Sequence, residues 1–220
     1  MSREPITLVC FAVKEEAESF NSLADSRPHI TTLLTGMGKE NAERAVRATL
    51  ETRKPRLVLS CGFAGGLRAE LTTGTVLFAA DGQPDLISAL VGAGARAARF
   101  HCSQRVATTV GEKKALRDSS GADAVEMESR IICAICLEQK IPCAIVRVIL
   151  DTASEDLPLD FNAIMTVDQR MDYGRLALAL IKSPGKIGAL LRLQKQARLA
   201  AENLGRVLDR ITEAGQETKA

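Results

Sequence analysis

The chain has 220 residues, enough for one sizeable domain with a deep core, and its 46% apolar and 25% charged residues are typical of a globular protein. A net charge of +2 without a dominating basic block argues against a nucleic acid as the main partner. With no Trp, one Tyr and six Phe, the chain also lacks the aromatic residues of a stacking surface for single strands.

The six cysteines lie mostly in apolar stretches, which is typical of buried thiols in a reducing compartment. Cys133 and Cys136 have the spacing of a zinc or redox pair, but no second pair accompanies them, so we expect core packing and no metal site. The apolar run at 6–13, followed at once by Glu15 and Glu16, predicts a strand and not a signal peptide. No stretch approaches the roughly 20 apolar residues that span a bilayer, so we expect a cytoplasmic protein.

Strands alternate with helices along the chain, and glycines or prolines separate them. The predicted strands are 6–13, 29–34, 56–60, 75–80, 104–110, 122–126 and 143–150. The predicted helices are 15–23, 39–50, 84–98, 112–118, 128–139 and 162–182, and glycine turns are predicted at 35–38 and 61–67. This order predicts an α/β fold, a single-domain three-layer αβα arrangement with a central twisted, mostly parallel (mixed) sheet and C-terminal helices.

Pro184 and Gly185 end the last predicted helix of the main domain, so we divide the chain into a domain at 1–183 and a C-terminal extension at 184–220. The extension is predicted to be a basic amphipathic helix. It either packs on the core or on a partner subunit, or lies on a membrane surface, which would place the protein at the inner membrane face.

Two segments with carboxylates stand where a predicted strand ends. One, 124–129, carries Glu126 and Glu128, and the other, 146–153, carries Asp151. A strand–helix–strand unit of this length joins neighbouring parallel strands, and open α/β sheets bind ligands at the carboxyl ends of their strands. We therefore expect Glu126, Glu128 and Asp151 to share one site.

Five segments, in this order along the chain, resemble the nucleoside phosphorylase superfamily, and its methylthioadenosine/S-adenosylhomocysteine nucleosidases most of all. The segments are 12–16 (AVKEE), 35–39 (TGMGK), 62–67 (GFAGGL), 125–128 (VEME) and 147–153 (RVILDTA). The resemblance implies a purine nucleosidase that hydrolyses the N-glycosidic bond of an adenine nucleoside without a metal or organic cofactor. It also implies a homodimer or a larger homo-oligomer.

The resemblance further implies a role for each matching residue. Asp151 donates a proton to N7 of the leaving base, and burial would keep its carboxyl protonated. Glu16 positions and deprotonates the attacking water, while Glu128 binds the ribose hydroxyls and Met127 packs against the sugar. The floor of the site is formed by Phe63, Ala64 and Gly65, and Glu126 is either a site residue or a surface residue at a strand end. Without the resemblance, Glu16 is typical of a solvated residue in a first helical turn.

The sequence departs from the nucleosidase pattern in three places. Phe63 and Leu150 stand where a small hydroxyl residue is usual, and the segment between 80 and 121 is short and lacks the aromatic residue that stacks on the base. The loop after Asp151 and the basic tail resemble the hopanoid-associated branch, which implies a lipid-linked substrate such as adenosylhopane as an alternative to a small thionucleoside. Two other functions remain open: a phosphorylase that uses inorganic phosphate, and a catalytically weak nucleoside-binding protein.

Overall fold

The computed structural model describes residues 6–24, 27–166, 168 and 172–217. The strands are β1 (Thr7–Phe11), β2 (Ile30–Leu34), β3 (Leu57–Gly66), β4 (Val76–Ala79), β5 (Arg96–Ala97), β6 (Phe100–Cys102), β7 (Ala124–Glu126) and β8 (Cys143–Asp151). The helices are α1 (Lys14–Ala24), α2 (Lys39–Thr52), α3 (Pro84–Gly92), α4 (Val110–Ser120), α5 (Ser129–Glu138), α6 (Phe161–Ile164), α7 (Tyr173–Lys182) and α8 (Ile187–Glu217).

The strands of the described part of the chain form one mixed sheet. Its order is β2-β1-β3-β8-β4-β5, with β7 on the second half of β3 and β6 beside β7. Strands β2, β1, β3 and β8 are parallel, whereas β4 is antiparallel to β8 and β7 is antiparallel to β3. Every residue of β1 is buried, which explains its unbroken apolar sequence, because helices cover both faces of the strand.

Helices cover the sheet on two sides. On one face Phe20 of α1, Leu90 of α3 and Leu204 of α8 belong to the core cluster that includes Val9 and Val146 of the sheet. On the opposite face Val46 of α2 and Ile132 of α5 pack with Leu8 and Val58 of β1 and β3. The predicted three-layer α/β fold is therefore confirmed.

The second half of α8 is part of the core. Ala200, Leu204 and Leu208 are fully buried. Gly205 permits close contact with α1, because a Cβ at this position would lie 3.1 Å from Cβ of Ser19. Packing on the core, one of the alternatives for the tail, therefore describes this half, and the division of the chain at residue 183 stays a prediction.

Two strands differ from the sequence-based prediction in a way that shapes the site. Strand β3 continues through the predicted glycine turn, because β8 pairs with it from Val58 to Gly65. Strands β7 and β8 are not the expected parallel neighbours, because β3 lies between them. Strand β1 pairs with β3 only as far as Ser60, so the longer β3 offers its free second half to β7.

Three further segments were predicted incorrectly. The helix from Pro84 ends at Gly92, and residues 96–97 pair with β4 instead. Residues 104–110 form no strand but lead to the start of α4. The helix expected over 162–182 is present as α6 and α7, and residues 167 and 169–171 between them lie outside the described residues.

Candidate active site

Glu16 is held at the end of β1 by backbone amides. Its Oε2 accepts hydrogen bonds from the N–H groups of Ala12 and Val13 at 2.8 and 3.2 Å, and its Oε1 accepts one from Phe63 at 2.8 Å. Glu16 is 5% exposed, so it is not the solvated helix residue of the alternative interpretation. Burial raises the pKa of Glu16, against the opposing effects of Arg147 and the three amides.

Arg147 is a fully buried cation in the middle of β8. Its Nη2 lies 2.7 Å from Oε2 of Glu126 and 3.5 Å from Oε2 of Glu128, and it donates to Oγ of Ser60 at 3.2 Å. The missing side chain of Gly62 provides the room, because a Cβ there would lie 2.6 Å from both Nη1 of Arg147 and Oε1 of Glu16. Arg147 therefore pairs with Glu126 and Glu128 and lies close to Glu16, which comes from the other end of the chain.

Glu126 is part of the support for α5. It accepts hydrogen bonds from the N–H groups of Glu128 and Ser129 at 3.0 and 2.8 Å and from the Ser129 hydroxyl at 2.6 Å. Burial alone would raise the pKa of Glu126, but Arg147 and these hydrogen bonds bring it below the ordinary value. Glu126 is buried, so it is not the surface residue of the alternative interpretation, and its acceptor sites are occupied.

Glu128 differs from Glu126 in its ionisation. Its Oε1 accepts one hydrogen bond from the N–H of Gly38 at 2.8 Å, in the glycine turn before α2. Burial raises the pKa of Glu128 to about 7, because the attraction of Arg147 is countered by the charges of Glu126 and Glu16. Glu128 can therefore exchange a proton near neutral pH, and Met127 beside it is half-buried.

Asp151 ends β8 and lies on the other face of the sheet from Arg147. The β3–β8 register pairs Phe63 with Val148, Ala64 with Ile149 and Gly65 with Asp151, which leaves Leu150 as an extra residue in β8. Since side chains alternate along β3, this extra residue places Asp151 on the face of Phe63. A regular strand would have placed residues 147, 149 and 151 on one face.

A buried lysine that the sequence analysis missed accompanies Asp151. Nζ of Lys113 lies 2.5 Å from Oδ2 of Asp151, and both side chains are buried. Burial raises the pKa of Asp151, and Lys113 opposes that rise. The rise on burial agrees in direction with the expectation for Asp151, and the opposing charge of Lys113 was not part of that expectation. The sequence could have indicated this buried lysine, because Lys113 lies one helical turn before Leu116 and therefore on the side of α4 that faces the core.

A cavity of about 270 Å³ opens beside Asp151. Its walls are the loop at Glu155–Pro158 and one side of α8, including Arg192 and Gln196. This volume is near the lower end of the roughly 300–1,000 Å³ typical of small-molecule pockets. The predicted floor residues lie close by: Phe63 is half-buried, Ala64 is buried and Gly65 pairs with both Asp151 and Val125.

The structure thus gives two groups of polar residues separated by the glycine-rich half of β3. Glu16, Glu126 and Glu128 surround Arg147, whereas Asp151 pairs with Lys113 beside the cavity. Within the described ranges, no group of three or more His, Cys, Asp or Glu is arranged to hold a metal ion. In the same ranges no helix is long and apolar enough to cross a membrane.

A family model of the phosphorylase superfamily matches residues 23–101 and 83–182, which together cover more than half of the chain. Among solved structures, a 5′-methylthioadenosine/S-adenosylhomocysteine nucleosidase from Neisseria meningitidis, in complex with methylthio-immucillin-A, superposes with a TM-score of 0.71. It is 19% identical, and the match covers 95% of this chain and 99% of that one. Futalosine hydrolase of Helicobacter pylori has a TM-score of 0.66 and 16% identity, with 93% and 97% of the two chains covered. The corresponding nucleosidase of Campylobacter jejuni has a TM-score of 0.65 and 16% identity, over 93% and 99%.

Proposed function

Because the chain belongs to the phosphorylase superfamily, we propose that it is an enzyme that hydrolyses the N-glycosidic bond of an adenine nucleoside. The observation that supports this most directly is the set of buried carboxylates Glu16, Glu128 and Asp151 around the glycine-rich half of β3. Buried acids with raised pKa values are suited to proton transfer at neutral pH.

Asp151 acts on the leaving base in this proposal. It lines the cavity against α8, so a purine there can receive a proton on N7 from its carboxyl group. Protonation of N7 withdraws electrons from the glycosidic bond, and the bond breaks with the electron pair on the base. The ribose is left as an oxocarbenium-like cation, which water then attacks.

Glu128 and Glu16 act on the sugar side in this proposal. Oε1 of Glu128 holds the N–H of Gly38, and its second oxygen, 3.5 Å from Arg147, can accept a ribose hydroxyl. Glu16 takes the proton of the attacking water, and its carboxylate is oriented by amides of the turn after β1 and of β3. Positioning of this kind, together with a matched pKa, is how a general base gains its efficiency.

Water is favoured over phosphate as the acceptor because the candidate cations are either paired with carboxylates or exposed on the surface. Lys14, Arg68 and Arg147 are candidate phosphate ligands in or beside the segments that match the superfamily. Arg147 is bound to Glu126, Arg68 is on the surface in ion pairs with Glu70 and Asp123, and Lys14 is exposed. A phosphate would have to displace buried carboxylates, at a large electrostatic cost.

The test is release of free adenine from 5′-methylthioadenosine, S-adenosylhomocysteine and adenosine, with and without inorganic phosphate. Release that needs no phosphate is expected, with near-complete loss in Asp151→Asn and a loss of about 10²–10⁴-fold in Glu16→Gln. The exposed Asp81→Asn variant serves as a matched control with unchanged activity. Release only with phosphate would establish the phosphorylase, and nucleoside binding without release would establish a binding protein.

A lipid-linked nucleoside such as adenosylhopane is the alternative candidate substrate within this proposal. The first half of α8 leaves Ile187, Leu191 and Leu199 about half exposed, interspersed with exposed basic residues such as Lys195 and Arg198. A surface of this kind suits contact with anionic lipid. Truncation after residue 184 would also remove core residues, so Leu191→Gln is the better variant.

Flotation with vesicles containing an anionic phospholipid tests this contact. Wild type should float and Leu191→Gln should float less, with Leu137→Gln on the exposed side of α5 as a control. If the wild type does not bind such vesicles, the membrane contact is wrong, while adenine release from small nucleosides still tests the hydrolase.

A homodimer or larger assembly is also part of the proposal, and light scattering after gel filtration measures it.

A further inference from the structure

Helix α4 begins with a capping box that fixes the direction of its first turn. Thr109 accepts a hydrogen bond from the N–H of Glu112 at 3.2 Å, and the Glu112 carboxylate accepts one from the N–H of Thr109 at 3.2 Å. This arrangement points the next residue, Lys113, into the protein, where its side chain is 0% exposed. The neighbouring Lys114 points outward and is 74% exposed.

The Lys113 amine has three oxygen partners. It donates to the carbonyl oxygens of Thr152 at 2.7 Å and Glu155 at 2.6 Å, and its third partner is Oδ2 of Asp151 at 2.5 Å. The contacts with the two carbonyl oxygens are hydrogen bonds, whereas the contact with Asp151 is a close ion pair without hydrogen-bond geometry, as a charged amine beside a carboxylate can form. The geometry describes an ammonium ion bound by a carboxylate and by the loop that follows it.

The other charged groups around Asp151 either have hydrogen-bond partners of their own or line the α8 side of the cavity. The Glu155 carboxylate accepts from the N–H and hydroxyl of Thr152, both at 3.0 Å, and the Asp156 carboxylate accepts from the N–H of Val110 at 2.6 Å. Arg192 of α8 is exposed and lines the opposite wall. Among the described residues, Lys113 is the one cation in an ion pair with Asp151.

We propose that Lys113 is a positioning residue that holds Asp151 as a carboxylate in the resting enzyme and thereby sets the highest pH at which the leaving base is protonated. The inference rests on the proposed function of Asp151 as the acid. In each turnover Asp151 must first take a proton from the cavity side, pass it to N7 of the base, and return to the carboxylate form. A nearby ammonium makes that uptake harder, so activity ends at a lower pH than burial alone would allow.

The experiment compares the pH dependence of kcat for wild type, Lys113→Met and the control Lys114→Met. An opposite charge in contact shifts a carboxyl titration by about 1–3 pH units, so the alkaline limit of Lys113→Met should move up by that amount. Lys113→Met should therefore retain more of its maximal activity than wild type at alkaline pH, and Lys114→Met should follow the wild type. A purely structural lysine would lower stability or raise KM without moving the alkaline limit, and that result would overturn the proposal.

A second measurement needs neither activity nor a folded Lys113 variant. In wild type with ¹³C-labelled aspartate carboxyl groups, the NMR resonance that is missing from Asp151→Asn reports the Asp151 proton directly. We expect the carboxylate form at neutral pH, and a protonated carboxyl at that pH would refute the role of Lys113. If the wild type releases no base from any nucleoside, the proposed function fails, and this titration still decides whether Asp151 is an anion beside Lys113; comparison with Lys113→Met then shows whether the lysine is the cause.

Discussion

The raised pKa of Glu128 predicts that this one side chain makes the protein less stable as the pH rises. The ordinary pKa of 4.5 becomes about 7 in the folded protein. At about 1.4 kcal/mol for each pH unit, this difference corresponds to about 3 kcal/mol. The folded protein keeps the proton that the unfolded chain has already lost, so the free energy of unfolding falls as the pH rises from about 4.5 to about 7.

Glu128→Gln removes this dependence, because the amide cannot ionise but can still accept the hydrogen bond from Gly38. The variant should gain stability relative to wild type by up to about 3 kcal/mol between about pH 4 and about pH 8. Loss of the Glu128 charge also relieves repulsion on Glu16, which acts in the same direction.

Urea unfolding at a series of pH values, followed by far-UV circular dichroism, measures the effect. Circular dichroism suits this protein because the chain has no Trp and one Tyr for fluorescence. The control is Glu51→Gln on the exposed side of α2, which should follow the wild type at every pH. If the stability difference between Glu128→Gln and wild type stays constant with pH, the raised pKa of Glu128 is wrong.

Three substitutions test the packing around the site by urea unfolding at neutral pH. Arg147→Met leaves buried carboxylates without their cation and should cost about 3–5 kcal/mol, and a cost near zero would contradict the ion-pair network. Gly62→Ala should cost about 1–3 kcal/mol, because its Cβ would lie 2.6 Å from atoms of Arg147 and Glu16. Gly92→Ala meets no atom within 4 Å and is the control, expected to be close to neutral. Thr109→Ala removes the capping box of α4 and should cost about 1 kcal/mol, whereas an unchanged midpoint would mean that the cap contributes nothing.

The sequence predicted the α/β class and most helices because those depend on local patterns. Strand β1 is apolar over its whole length since both faces are covered, and α2 repeats its small apolar residues at helical spacing. The carboxylates Glu126, Glu128 and Asp151 were also located correctly at or just after strand ends, because a polar residue that interrupts a buried strand is a local signal.

The relation between those carboxylates depended on contacts that are distant in the chain. Strand β7 pairs with the edge of β3 that is left free where β1 ends, and the sequence of neither β1 nor β7 alone contains that information. The face of Asp151 follows from the extra Leu150 opposite β3, and this depends on the pairing register of two strands more than 80 residues apart.

The sequence by itself determined the residue types of the site: an acid after β1, one acid at the end of β7 and another just after it, an acid at the end of β8, and the glycines of β3. Only the tertiary structure decided their ionisation and their partners. Arg147 and hydrogen bonds bring the pKa of Glu126 below its ordinary value, whereas burial raises that of Glu128 to about 7. Lys113 reaches Asp151 from a helix 38 residues earlier. The physical reason is that a pKa depends on burial and on the distance to other charges, and both are properties of the folded chain.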